Sequence, residues 1–117
     1  MVRNAVDDEE VEKAIFLFRD GDTLTAGNAV SGQFFELELS AKERLVEQFV
    51  ANGVAIIVTN QRFAGAGTFS GGWNSLRRIA GEDFVSAEVQ DLSAMLVTSD
   101  RLLTYNGRSG AWAQTRR

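Results

Sequence analysis

The sequence predicts an all-β chain built from three copies of one four-stranded unit. Three observations carry that prediction. The chain matches itself at a shift of 39 residues with no gap. Each copy has a short apolar run followed by turn residues. Both tryptophans of the chain fall on one repeat position. Periodicity of this length marks a repeat architecture, in which a unit buries its apolar face only against its neighbours.

The second and third copies align best. Ile57-Val58-Thr59-Asn60-Gln61-Arg62-Phe63 falls on Leu96-Val97-Thr98-Ser99-Asp100-Arg101-Leu102. Ser70-Gly71-Gly72-Trp73 falls on Ser109-Gly110-Ala111-Trp112, and Arg77-Arg78 on Arg116-Arg117. Upstream, Glu43, Val46 and Val50 fall on Glu82, Val85 and Val89. A fainter copy at the front places Phe18 with Ile57, Leu24 with Phe63, Ser31-Gly32 with the two Ser-Gly pairs, and Phe34 with the tryptophans. The units are therefore 1–39, 40–78 and 79–117 of a single 117-residue domain.

Within the third unit the strands are expected at 84–89, 94–98, 101–105 and 111–115. They are divided by Asp91-Leu92-Ser93, Ser99-Asp100 and Asn106-Gly107-Arg108-Ser109-Gly110, all of them turn-forming compositions. The second strand is an apolar run in every copy (15–18, 54–58, 94–97), which is the pattern of a strand buried on both faces. The fourth strand alternates in the first copy, Phe35-Glu36-Leu37-Glu38-Leu39, as a half-exposed strand does. Residues 6–18 and 40–51 also contain good helix formers. However, the third-unit counterpart Phe84-Val85-Ser86-Ala87-Glu88-Val89 has the composition of a strand. Equivalent positions fold alike, so strands are expected throughout.

The pattern Val-Thr-x-x-Arg-Leu-x-x-x-x-Gly-x-x-Gly-x-Trp, carried by Val97, Thr98, Arg101, Leu102, Gly107, Gly110 and Trp112, resembles the blades of bacterial β-propellers. The likeness covers the second and third units well. It covers the first weakly, where Thr23 and Phe34 replace Arg and Trp. It implies a fold and no particular activity. Three blades do not close a ring, so each end is expected to expose an apolar flank. Two chains give a six-bladed homodimer, the commonest cyclic case; three give a nine-bladed homotrimer. The alternative all-β reading is a β-trefoil monomer, which needs three units but calls for no doubly buried strand. The units carry net charges of -6, +3 and -1. In a dimer, Arg116 and Arg117 are expected to approach Asp7-Asp8-Glu9-Glu10 of the partner.

Composition excludes several function classes. The chain has no cysteine and no histidine, so Cys-His and Ser-His-Asp catalysis and thiolate or imidazole metal sites have no residues to work with. A net charge of -4 argues against a general nucleic-acid binder. The polar N-terminus lacks a signal peptide's apolar stretch, and the longest apolar run, 54–58, is far below a membrane span. A cytoplasmic, cofactor-free, metal-free, non-enzymatic protein is the expectation.

Six residues are candidates for ligand contact. Arg62 and Arg101 open the third strand of their units, where a guanidinium can clamp a carboxylate or phosphate; the rival account is a structural ion pair. Asp22 and Asp100, with Asp20, lie in the same turns, where paired carboxylates can hold Ca²⁺ or act as acid and base; the rival account is local turn bonding. Trp73 and Trp112 can stack on a sugar as in a lectin; the rival account is packing between neighbouring units. Gly65-Ala66-Gly67-Thr68-Phe69-Ser70-Gly71-Gly72 lacks the Lys-Ser/Thr of a phosphate loop and reads as a turn. The expected function is a small-molecule or carbohydrate-binding module, with a protein-interaction scaffold as the alternative.

Overall fold

The structure, a computed structural model, describes residues 13–117. Residues 6–12 of the 6–18 segment, expected as strand rather than helix, and the acidic run at 7–10, expected to meet Arg116 and Arg117 of a partner, lie outside the described residues. Eleven strands are found and no helix among the described residues: β1 (Ile15–Asp20), β2 (Thr23–Asn28), β3 (Gln33–Glu38), β4 (Leu45–Val50), β5 (Val54–Thr59), β6 (Arg62–Gly67), β7 (Trp73–Arg77), β8 (Phe84–Gln90), β9 (Ser93–Thr98), β10 (Arg101–Asn106) and β11 (Trp112–Arg116). The segment 40–51, with its helix-forming composition, contains β4. Cross-strand pairing and a covered face override intrinsic propensity there.

Three antiparallel sheets result, each a plain meander: β1-β2-β3, β4-β5-β6-β7 and β8-β9-β10-β11. None of them closes on itself. The boundaries recur at the predicted spacing: β5, β6 and β7 begin at 54, 62 and 73, and β9, β10 and β11 at 93, 101 and 112. Even the irregularities recur. The β4–β5 pairing slips between Leu45 and Glu47, and the β8–β9 pairing slips between Phe84 and Ser86. The extra residues, Val46 and Val85, occupy equivalent positions and are both exposed.

The sheets stack face to face in an elongated body of 52 × 33 × 19 Å. One core lies between the second and third sheets: Val54, Ile56, Val58 and Phe63 against Ala94, Leu96, Leu103 and Tyr105. The other lies between the first and second: Leu24 and Leu39 against Ile57 and Ala64. Both faces of β5 are therefore covered, and all six of its residues are buried. The outer sheets differ from the sequence expectation. In β1, Phe16 and Phe18 are exposed, and in β9, Met95 is exposed. Each outer sheet has a neighbour on one side only, so its apolar run is covered on one face.

Close approach of backbones sets the inner end of the stack. A Cβ on Gly67 would lie 2.3 Å from the Cα of Gly107, and one on Gly65 would lie 2.8 Å from the Tyr105 ring. Only glycine fits at either place. Backbone bonds cross both joints here, from Gly53 N–H to Asp91 O (2.7 Å) and from Ala14 N–H to Asn52 O (2.8 Å).

Candidate functional site

The charged end of the stack carries the β5–β6 and β9–β10 turns and the connections that lead to β4 and β8. Two copies of one polar network occupy it. In the third unit the Glu82 carboxylate accepts from Thr98 Oγ1 at 2.6 Å and from Arg101 Nε at 2.7 Å and Nη2 at 3.0 Å. Its Oε1 also accepts from the Ile79 N–H at 2.9 Å, closing the loop that leads into β8. In the second unit Glu43 does the same with Thr59, Arg62 and the Ser40 N–H. Thr59 and Thr98 also accept from the amides of the turn that follows them.

These carboxylates are buried ion-pair members. Burial by itself raises the carboxyl pKa, but the Arg101, Thr98 and Ile79 donors outweigh it and hold Glu82 down to about 2. Glu43 is lowered in the same way, with burial opposed by Arg62, Thr59 and Ser40. Both glutamates are ionised and committed at neutral pH.

The arginines also tie neighbouring sheets together. Arg62 Nη2 donates to Glu38 O at 3.0 Å and Arg101 Nη2 to Arg77 O at 2.9 Å, each on the preceding sheet. Arg101 Nη1 donates to Gln114 Oε1 at 2.6 Å. The bidentate edge of each guanidinium thus already holds a glutamate. Arg78 spans the second joint: its Nη1 donates to Thr59 O at 2.8 Å and its Nη2 to Glu82 O.

The tryptophans perform a matching task at the opposite edge of the sheets. Trp73 Nε1 donates to Phe35 O at 3.0 Å and Trp112 Nε1 to Asn74 O at 2.9 Å, both across a joint. The Trp112 ring lies 4.9 Å from that of Tyr105, whose hydroxyl donates to Asn74 Oδ1 at 2.9 Å. Burial raises the Tyr105 phenol above its ordinary pKa.

Asp22 and Asp100 lie in exposed turns of the first and third sheets and are not brought together. The Asp22 carbonyl accepts from Leu39 N–H. The Asp100 carboxylate accepts from Ser99 Oγ at 2.8 Å. Asp100 and Arg101 do share a cleft of about 480 Å³ with Gln114, Arg116 and Arg117. A second cleft, about 470 Å³, is lined by Asn60, Gln61, Arg77, Arg78 and the loop to Glu82. Among the described residues no group of three or more acidic side chains is placed to hold a metal ion.

Sequence reasoning missed the part played by the two glutamates and the cleft residue Gln114, and gave Arg116 and Arg117 to docking rather than to the cleft. The signal for the glutamates was available: Glu43, Thr59 and Arg62 recur together as Glu82, Thr98 and Arg101, and the first unit has Asn4, Asp20 and Thr23 in those places. No family model matches the chain, and no curated protein matches it.

Proposed function

We propose that the chain supplies three blades of a β-propeller, that two copies close a six-bladed ring, and that the ring is a non-enzymatic binding module. The observation that carries this reading is the stack itself. Three antiparallel meanders with common strand spacing pack face to face and leave one apolar face uncovered at each end. A large uncovered apolar patch marks an interaction surface.

The ligand site is assigned to the arginine-bearing end. There Arg77 pairs across from Arg62, and Arg116 across from Arg101. Glutamate neutralises the inner member of each pair, so the outer arginine is left to attract an anion. Clefts lined by guanidinium, amide and hydroxyl groups suit a small acidic ligand, with acidic carbohydrates as the favoured class. The absence of histidine and cysteine from the sequence supports binding over catalysis.

An array of acidic and neutral glycans, followed by isothermal titration of the hits, tests the ligand assignment. Acidic sugars should bind, and a combined Arg77→Ala, Arg116→Ala variant should lose at least tenfold in affinity. A chain that binds no array member would overturn the ligand reading in favour of a protein-interaction scaffold.

A further inference from the structure

The sheets have a direction. Side chains on Cα partners share a face, so each sheet has one face toward the next unit and one toward the unit before. In the second sheet the forward face carries Val54, Ile56, Val58 and Phe63, and the backward face carries Ile57 and Ala64. By the same register the uncovered face of the first sheet is a backward face, bearing Phe16, Phe18 and Phe34. The uncovered face of the third is a forward face, bearing Met95, Val97, Leu102 and Thr104. The two open ends are therefore the two halves of a joint that the chain already makes twice.

Three details match. First, Phe34 occupies the position of Trp73 and Trp112, the rings that pack against the preceding sheet, yet it is 78% exposed. Second, side-chain sizes alternate across the joints. Tyr105 lies on Gly65 at the second joint. The equivalent pair at the first is Ala66 and Ala26, both buried. At the open ends the pair is Gly27 and Thr104. In every case one member is Gly or Ala, which leaves room for the other.

Third, Asn28 and Asn106 build the same turn. The Oδ1 of Asn28 accepts from the N–H groups of Val30 and Ser31, and that of Asn106 from Arg108 and Ser109. Asn28 then uses its Nδ2 to donate across the first joint to Thr68 O at 2.8 Å. The Nδ2 of Asn106 has the same placement on the open forward face. The position that answers to Thr68 in another first unit is Ala29.

The geometry points to a specific head-to-tail interface between copies. The forward face of the third sheet receives the backward face of a second copy's first sheet. Phe34, Phe18 and Phe16 lie against Met95, Val97 and Leu102, and Asn106 Nδ2 donates to the partner's Ala29 carbonyl. This rests on the ring reading and adds which surfaces meet. Unlike faces in contact make a heterologous interface, which yields a ring when its rotation closes and a filament when it does not.

Light scattering on three exposed-face variants tests it. Phe34→Glu spoils only the backward face and Met95→Glu only the forward face. Each alone should have the mass of one chain. Mixed in equal amounts they should form pairs of twice that mass, because one good joint survives between the spared faces. Asn106→Asp keeps the acceptor that builds the turn and removes the donor, and should weaken association about tenfold. If either Phe34→Glu or Met95→Glu still pairs with itself as the parent chain does, or if mixing restores nothing, the interface is overturned while the ring reading survives. A parent chain of single mass overturns the ring reading itself. Filaments abolished by both variants would uphold the interface and overturn ring closure.

Discussion

The second sheet and the outer sheets carry similar second strands but are buried very differently. Val54–Thr59 is buried throughout, whereas Ile15–Asp20 leaves Phe18 65% exposed and Ser93–Thr98 leaves Met95 43% exposed. The strands occupy one register and differ in how many neighbours they have. Apolar content therefore reports which faces need cover, and only the stack reports which faces have it. The stability of this chain should be concentrated in the second sheet, and the outer faces should contribute mainly on association.

Substitutions graded by burial sharpen that contrast. Phe63→Ala, in the core between the second and third sheets, should cost about 4 kcal/mol in urea unfolding, the usual penalty for emptying a large buried aromatic site. Its counterpart on the open face, Leu102→Ala, should cost less than half as much.

Glu82→Gln comes next, at about 3 kcal/mol, because it strands the buried Arg101 guanidinium. Glu43→Gln should cost less, since its partner Arg62 has 24% of its side chain exposed against 6% for Arg101. The same comparison appears in pH. A carboxyl held near 2 in the folded chain and near 4.3 in the unfolded one stabilises fully above the unfolded value. That contribution, about 3 kcal/mol, should fade as pH falls from about 5 toward 2. Glu82→Gln should flatten this part of the acid-denaturation curve.

Trp112→Phe removes the indole donor to Asn74 O and should cost about 1 kcal/mol. Phe18→Ser should change the unfolding of the dilute, unassociated chain by less than about 0.5 kcal/mol, as an exposed substitution does. A large loss at Phe18 would show that the open face is covered within a single chain.

Much of the fold was legible because the repeat has no gap: the turn residues 91–93 and 106–110 placed every strand of the third unit within two residues. The networks were less legible. Glu43 and Glu82 stood out only as matching repeat positions, and their role depends on the turns that Ser40 and Ile79 close over them. Arg62 and Arg101 read as clamps or as braces, because a side chain's partners are set by the chain's path between units and not by its neighbours in sequence. The tryptophans were ambiguous for the same reason. Their indole acceptors, Phe35 O and Asn74 O, lie 38 residues away and on another sheet.

Ring closure by two copies is most directly read from the mass of the unmodified chain in solution, by light scattering over a wide concentration range at neutral pH. The account predicts a plateau at twice 12.8 kDa. A single-chain mass at every concentration would contradict it and leave the exposed phenylalanines of the first sheet without an occupant.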